Sequence, residues 1–524
     1  MHNRSSSQVF FISLISVLLF IVSFAQEEKV LVIGHAETTD AYDPAHGFSP
    51  TGGIVNHVAY HTLVTFPSGD ASEILPSLAS AWTVSEDGLS YTFTLDGNAV
   101  FSDGSKVEAS DVVFSFNRLK NVKAQPSFLT DPIASISAPD AATVVMTLSA
   151  QRPSFLSELT NSAFAVTNAD VVKANGGTED GAGDSALEYL NQTSAGSGPY
   201  MLESWTAQEE TVLVRNPNYW GAAPYFDRVI IVNIPEAATQ KVALESGEID
   251  LATDLSADQM VALEGNTDVG IFTGQSNWTH FILMNRDKVI GGPVSDPRVA
   301  EAVRLALDYE GYRGLWAGSV TPGTNMWVGL AGAYGQDKSL ERNLERAKEL
   351  LAEAGYADGF DITLDYPDMN FGGVNLSTNA QKIQADLAEI GINVELAPAE
   401  VQVSLEGYRS GTQGFAYWFW GPDKLDPIDF LEFLPGGKVA TERAMWAPEM
   451  VDQSILDLIA QAKVETDAAK RTEIFNQLQD FAQQNSAFAP FNVPAAQTAY
   501  RANIQGYVRH PQWDFDIALL SRAE

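Results

Sequence analysis

The chain has 524 residues, no cysteine, and 67 acidic against 31 basic side chains for a formal charge of −36. The missing thiols exclude disulfides, thiolate metal sites, a cysteine nucleophile and the lipid-acceptor cysteine of a bacterial lipoprotein. A surface this acidic repels phosphate backbones and anionic membranes, which argues against nucleic acid and lipid as partners.

Residues 1–25 carry a single Arg (Arg4), an apolar run over 9–22, and small residues at Ser23 and Ala25. This is the pattern of a secretory signal peptide cut after Ala25, its apolar run being shorter than the ~20 residues of a spanning helix. The expected product is exported through the Sec pathway to the periplasm without a lipid anchor. Residues 29–34 (KVLVIG) are a β-branched run ending in Gly, the pattern of a buried strand. The stretch 35–53 that follows reads as a loop ending in Thr51, Gly52 and Gly53, and loops at strand ends are where ligands are met. Residues 54–63 then read as a helix with His57 and His61 four apart. That spacing can serve a metal, but Val58 replaces the Glu of HExxH and no third ligand follows, so no metal is expected.

Within 75–118 the sequence LPSLASAWTVSEDGLSYTFTLDGNAVFSDGSKVEASDVVFSFNR gives a strand at 82–84, a Glu86-Asp87-Gly88 turn and a returning strand at 91–95. Ser110 and Asp111 read as the cap of a following helix. The segment resembles the signature of the family 5 solute-binding proteins of ABC importers, the peptide, opine and nickel class. The residues that carry the resemblance are Pro76, Leu78, Ala79, Trp82, Ser85, Asp87, Gly88, Tyr91, Thr92, Phe93 and Leu95, then Phe101, Asp103 and Gly104, then Ala109, Asp111, Val112, Ser115 and Arg118. Further on, Gly196-Ser-Gly-Pro-Tyr200 is similar to the family's GTGPY and Asn216-Pro-Asn-Tyr-Trp220 to its NPxYW. Segments 240–251, 295–308, 347–356 and 383–396 are similar to its helix and helix-to-strand elements. Residues 174–198, rich in Gly, Ser, Asp and Glu, read as a surface loop.

The resemblance implies an α/β chain with the two-lobed periplasmic binding protein fold, extended by a β-hairpin-containing subdomain around 75–190. Lobe one would span 26–275, lobe two 276–488, and 489–524 would return to lobe one. It also implies a monomer that encloses a small-molecule or peptide ligand between its lobes and delivers it to the permease subunits of an ABC transporter in the inner membrane. No cofactor and no catalytic residue follow from it.

The stretch 415–433 (FAYWFWGPDKLDPIDFLEF) alternates, so that Trp418 and Trp420 share one strand face and Tyr417 and Phe419 the other. Gly421-Pro422 ends the strand, and the turn beyond it carries Asp423 and Asp426. On spacing alone two readings are open: tryptophans in the core with turn-forming aspartates, or an aromatic wall beside a carboxylate that holds an ammonium group. In dipeptide and oligopeptide binders a similar W-x-x-D-x-x-D-P run contacts the ligand's α-ammonium, which makes Asp423 the implied amine-binding carboxylate and Trp420 a pocket wall. Trp418, on the same face, and Thr51, Gly52 and Gly53 from lobe one complete the expected site. The arginine that meets a dipeptide's carboxylate has no counterpart here, the nearest position being Asn370. Peptides or related amino compounds are the expected cargo. An oligosaccharide or a nickel- or haem-type ligand on the same fold is the alternative, and an exported hydrolase, which would need two carboxylates flanking a bond, is a more distant one.

Overall fold

The buried run Val30–His35 becomes the central strand of a seven-stranded sheet, because both of its faces are apolar and both of its edges are paired. It runs parallel to Arg228–Asn233 on one side and to Leu251–Ala252 on the other. The computed structural model describes residues 28–316, 318–323, 328 and 332–523, so the expected leader at 1–25 lies outside the described residues. Among them no helix is long and apolar enough to cross a membrane.

A second, five-stranded sheet is centred on Phe415–Trp420, which lies antiparallel to Thr279–Met284 and parallel to Phe360–Pro367. Alternation holds along this strand. Tyr417 enters the core shared with the helices Pro297–Ala306 and Leu376–Ala388, while Trp418 enters the core on the opposite face with Ala468–Asn485. The chain passes between the sheets twice: from Val269–Gln275 in the first to Thr279–Met284 in the second, and back from Phe488–Asn492 to Ala495–Arg501. The return therefore lies at 493–494, a few residues beyond the expected 489. Two such short crossings form the geometry of a hinge between rigid lobes.

A four-stranded antiparallel sheet, Ala79–Val84, Ser90–Leu95, Thr143–Leu148 and Ile133–Asp140, enlarges the first lobe and is covered by the helix Ala109–Val122. Gly88, at φ +67°, makes the hairpin turn. The helix begins two or three residues earlier than a cap at Ser110 or Asp111 implies: Glu108 is its N-cap, and Asp111 accepts from the Glu108 backbone N–H at 2.9 Å in a capping box.

Two local expectations change. The helix expected at 54–63 runs over Pro50–Ala59, with Ser49 Oγ accepting from the Gly52 N–H and Pro50 in its first turn. Thr51, Gly52 and Gly53 thus form a helix N-terminus rather than a loop, and His61 lies beyond the helix end. The segment 174–198 is not all surface either. Leu190, Ala195 and Ser197 are buried, and Asp184 is held by Arg118 through Nε at 2.8 Å and Nη2 at 2.9 Å.

Candidate functional site

Arg118 is almost fully buried and joins Asp184 to Asp43, giving Asp43 a bidentate pair at 2.7 and 2.6 Å. Burial alone would raise the Asp43 carboxyl, but the hydrogen bonds from Arg118 and His46 outweigh it and bring it down to about 2. Asp43 also accepts from the Ala45 N–H, so the residues leading into the helix Pro50–Ala59 are fixed from beneath. The far end of that helix rests on Gly196 and Gly198. A Cβ at either would stand 2.1 Å from the Ala59 carbonyl oxygen or 2.2 Å from that of Val58. Asn216 Nδ2 in turn donates to the Gly198 carbonyl at 2.8 Å. The family-like motifs therefore act as scaffolding for one helix.

That helix forms one wall of a cavity of about 190 Å³ between the lobes. One water needs ~10–15 Å³, so the space admits a small solute of several heavy atoms. On the first-lobe side it is lined by Gly52, Gly53, Asn56 and His57 of the helix, by His61, by Thr160 and Asn161, and by Trp513 and Asp514 of the C-terminal return. Asn277 and Trp278 of the outgoing crossing line its hinge end, and Gly421, Pro422 and Asp423 close it from the second lobe. Gly421 is required by close approach, since a Cβ there would sit 2.9 Å from the Trp278 ring.

Asp423 is half-buried, and its carboxylate makes no hydrogen bond or ion pair among the described residues. Burial pushes its pKa up, opposed by the positive charges of Lys424 and Arg443. Its backbone is held from both lobes. The Asp423 N–H donates to Asp429 Oδ2 at 2.7 Å, and its carbonyl accepts from Asn161 Nδ2, a first-lobe side chain, at 3.1 Å. Asp429 is buried, also accepts from the Lys424 N–H, and pairs with the Lys424 ammonium at 3.4 Å. It positions the turn and does not line the cavity. Asp426 caps the short helix that follows by accepting from the Ile428 N–H and is paired to Arg471.

The remaining expected site residues take other places. Trp418 is buried within the second lobe, stacked on Tyr408 at 4.7 Å, and donates to Gln413 Oε1 at 2.8 Å. Trp420 packs edge-on against Phe433 at 4.7 Å, on the same face. Neither borders the cavity. Asn370 is exposed on the short hairpin Asn370–Phe371 with Val374–Asn375, and its neighbour Phe371 backs the cleft indole Trp278 at 5.4 Å. Thr51 turns behind the helix, with Oγ1 2.9 Å from His35 Nε2, whereas Gly52 and Gly53 face the cavity.

The indoles that do line the cavity are Trp278 and Trp513. Neither lies in an alternating strand, so periodicity gives no signal: Trp278 follows the bend at Asn277 in the outgoing crossing, and Trp513 lies in the turn between the paired Arg509–His510 and Asp514–Phe515. His57 and His61 both border the cavity but meet different partners. His57 Nε2 is 3.4 Å from Asp516 Oδ2, and His61 Nδ1 is 3.0 Å from Ser197 Oγ. Burial holds the His61 pKa down to about 4, so it is neutral at pH 7.

The model of the bacterial extracellular solute-binding proteins, family 5 middle, matches residues 73–441. The chain is 29% identical over 517 residues to the probable D,D-dipeptide-binding periplasmic protein DdpA of Escherichia coli K12, covering 95% of each chain. It is 26% identical over 523 residues to the glutathione-binding protein GsiB of the same strain, covering 96% of each. Among solved structures it is similar to the ABC transporter-associated periplasmic binding protein DppA from Helicobacter pylori in complex with peptide STSA. That match has a TM-score of 0.80 at 25% identity and covers 95% of this chain and 99% of the other.

Proposed function

The chain belongs to the bacterial extracellular solute-binding proteins of family 5, and on that premise we propose that it captures peptides or related amino compounds by closure of its lobes around Asp423. Its role is that of the solute-binding component of an ABC importer. The protein works as a monomer in the periplasm, carries out no bond-breaking step, and hands its cargo to a membrane permease.

The observation that carries this proposal is the unpaired Asp423 carboxylate at the cavity edge. A carboxylate drawn out of water without a partner is costly, and a cargo ammonium removes that cost only when the second lobe has closed. Cargo amine and closure are thereby coupled: an ammonium held on Asp423 also contacts the first lobe, so it favours the closed state. Trp278, the cavity-lining indole that is only half-buried, offers aromatic area for the apolar body of the cargo.

Calorimetric titration with short peptides and with their N-acetylated forms tests the proposal. Peptides with a free amine should bind, acetylation should abolish binding, and Asp423→Asn should weaken the amine by about 2–5 kcal/mol. A sugar that gives heat where peptides give none, or an affinity unchanged in the variant, would refute it.

A further inference from the structure

Two glycines close the hairpin Asn370–Phe371 with Val374–Asn375: Gly372 at φ +51° and Gly373 at φ +73°. A positive φ at both central residues of a two-residue hairpin admits Asn as well as Gly. At Gly373 a second constraint applies. A Cβ there would lie 2.4 Å from the Ser256 backbone nitrogen, 2.7 Å from the Leu255 carbonyl carbon and 2.9 Å from the Asp254 carbonyl oxygen. The hairpin follows the second-sheet strand Phe360–Pro367, and residues 254–256 follow the first-sheet strand Leu251–Ala252, so backbone meets backbone between the lobes.

Both sides of this contact are held. Asp254 accepts from the Ala36 N–H at 2.9 Å and pairs with His35 at 3.2 Å, Leu255 is buried, and the Ser256 N–H donates to Gln259 Oε1 at 3.0 Å in the capping box of the helix Ala257–Leu263. Opposite, Phe371 is wedged among Phe419 at 4.7 Å, His280 at 5.1 Å and Trp278 at 5.4 Å, and the Leu376 N–H donates to the Met369 carbonyl at 3.0 Å at the base of the hairpin. The contacts of Arg409 with Gln125 and of Lys424 with Phe128 run instead through long side chains, which can adjust. Because Phe371 packs on Trp278, the backbone contact lies beside the outgoing crossing, where a small displacement is enlarged toward the rim of the cleft.

We propose that Gly373 is a positioning residue for capture: its bare Cα is the stop that sets how far the lobes close, and so the depth of the cavity. It does not itself line the cavity. A Cβ there would have to retreat about 1 Å to bring 2.4 Å up to an ordinary 3.4 Å, and the second lobe would retreat with it. This rests on lobe closure as the capture step and not on the role of Asp423.

The chain has no native cysteine, so spin labels go only where they are placed. Gln125→Cys and Arg409→Cys put one label on each lobe, at exposed positions whose native side chains meet in the closed protein. In the whole mature protein, isolated from cells without denaturation, this pair should show dipolar broadening in electron paramagnetic resonance, a signal that falls steeply with distance. Gly373→Asn keeps a residue suited to the turn and should lose most of the broadening at an unchanged melting temperature. Gly373→Ala adds the Cβ alone and should give a loss in the same direction, which decides the matter should the Asn variant fail to fold. Gly372→Asn, whose Cβ meets the second-lobe ring of Trp316 at 3.2 Å and nothing in the first lobe, should match the parent. Undiminished broadening in the Gly373 variants, or an equal loss in Gly372→Asn, would overturn the stop alone. An unbroadened parent would refute closure itself and the stop with it. Because the readout is a distance, it decides the stop even where titration removes Asp423 from the site.

Discussion

Asp423 and Asp426 lie three residues apart and meet different fates. Asp426 uses its oxygens on the Ile428 N–H and on Arg471, whereas the Asp423 carboxylate faces the cavity with none of these partners. The sequence pattern pointed to this turn but could not distinguish the two aspartates by geometry, because the discriminating groups, Arg471 and Asp429, lie 45 and 6 residues away. The tryptophans show the opposite limit. Strand alternation placed Trp418 and Trp420 on one face correctly, yet that face is core, because the strand is the middle of five and covered on both sides. Since burial raises the Asp423 pKa, binding of a cargo ammonium should be complete above that pKa and lost as the pH falls through it, higher than for an ordinary carboxylate. Titrations between pH 8 and pH 4 should show this loss in the wild type and not in Asp423→Asn. At Arg118, substitution by Met takes the guanidinium from both Asp43 and Asp184 and leaves Asp43 with His46 alone. It should cost about 3–5 kcal/mol of stability in denaturant unfolding.

The helix Pro50–Ala59 is the element on which the first-lobe half of the site depends. It starts at Ser49-Pro50, a cap followed by Pro at the first helical position, inside the stretch that reads as loop. The pair Gly52-Gly53 hid it, since two glycines read as loop by propensity. What allows them there is tertiary. A Cβ on Gly52 would come 2.9 Å from Thr39 Oγ1, while one on Gly53 meets nothing within 4 Å. Gly53→Leu should therefore fold with an unchanged or slightly raised melting temperature and yet lose cargo affinity, because its side chain occupies the cavity. Preserved affinity would show that Gly53 lies off the binding path. Gly196→Ala should do the reverse damage, displacing the helix end through the Ala59 carbonyl and lowering stability and affinity together.

At the scale of the molecule the lobes are closed on each other. Asn161 donates to the Asp423 carbonyl, Arg409 donates to Gln125 Oε1 at 3.0 Å, and the Lys424 ammonium lies 5.6 Å above the Phe128 ring. The two-lobed plan was visible in the sequence because long family-like segments span it. The crossings were placed only to within a few residues, since they contain no glycine-rich linker to mark them. Histidines in both lobes fold neutral: burial takes His61 and His510 down to about 4 and His280, beside Tyr417, to about 3, from an ordinary 6.5. Their unfolded forms take up protons first, so stability is present above about 6.5 and is lost as the pH falls toward 4. His35 has the opposite sign. Burial opposes its charge, but Asp254 prevails and raises it to about 9, so its contribution is present below 6.5 and is lost as the pH rises toward 9. Unfolding midpoints measured across pH should peak near neutrality, and His280→Phe should flatten the acid limb. A midpoint that does not fall on acidification would contradict these assignments.

The most direct measurement is native mass spectrometry of the protein taken from cells without denaturation, wild type beside Asp423→Asn. We expect the wild type to carry a small molecule with a basic amine and the variant to have lost it. An amine-free molecule held equally by both would contradict capture through Asp423.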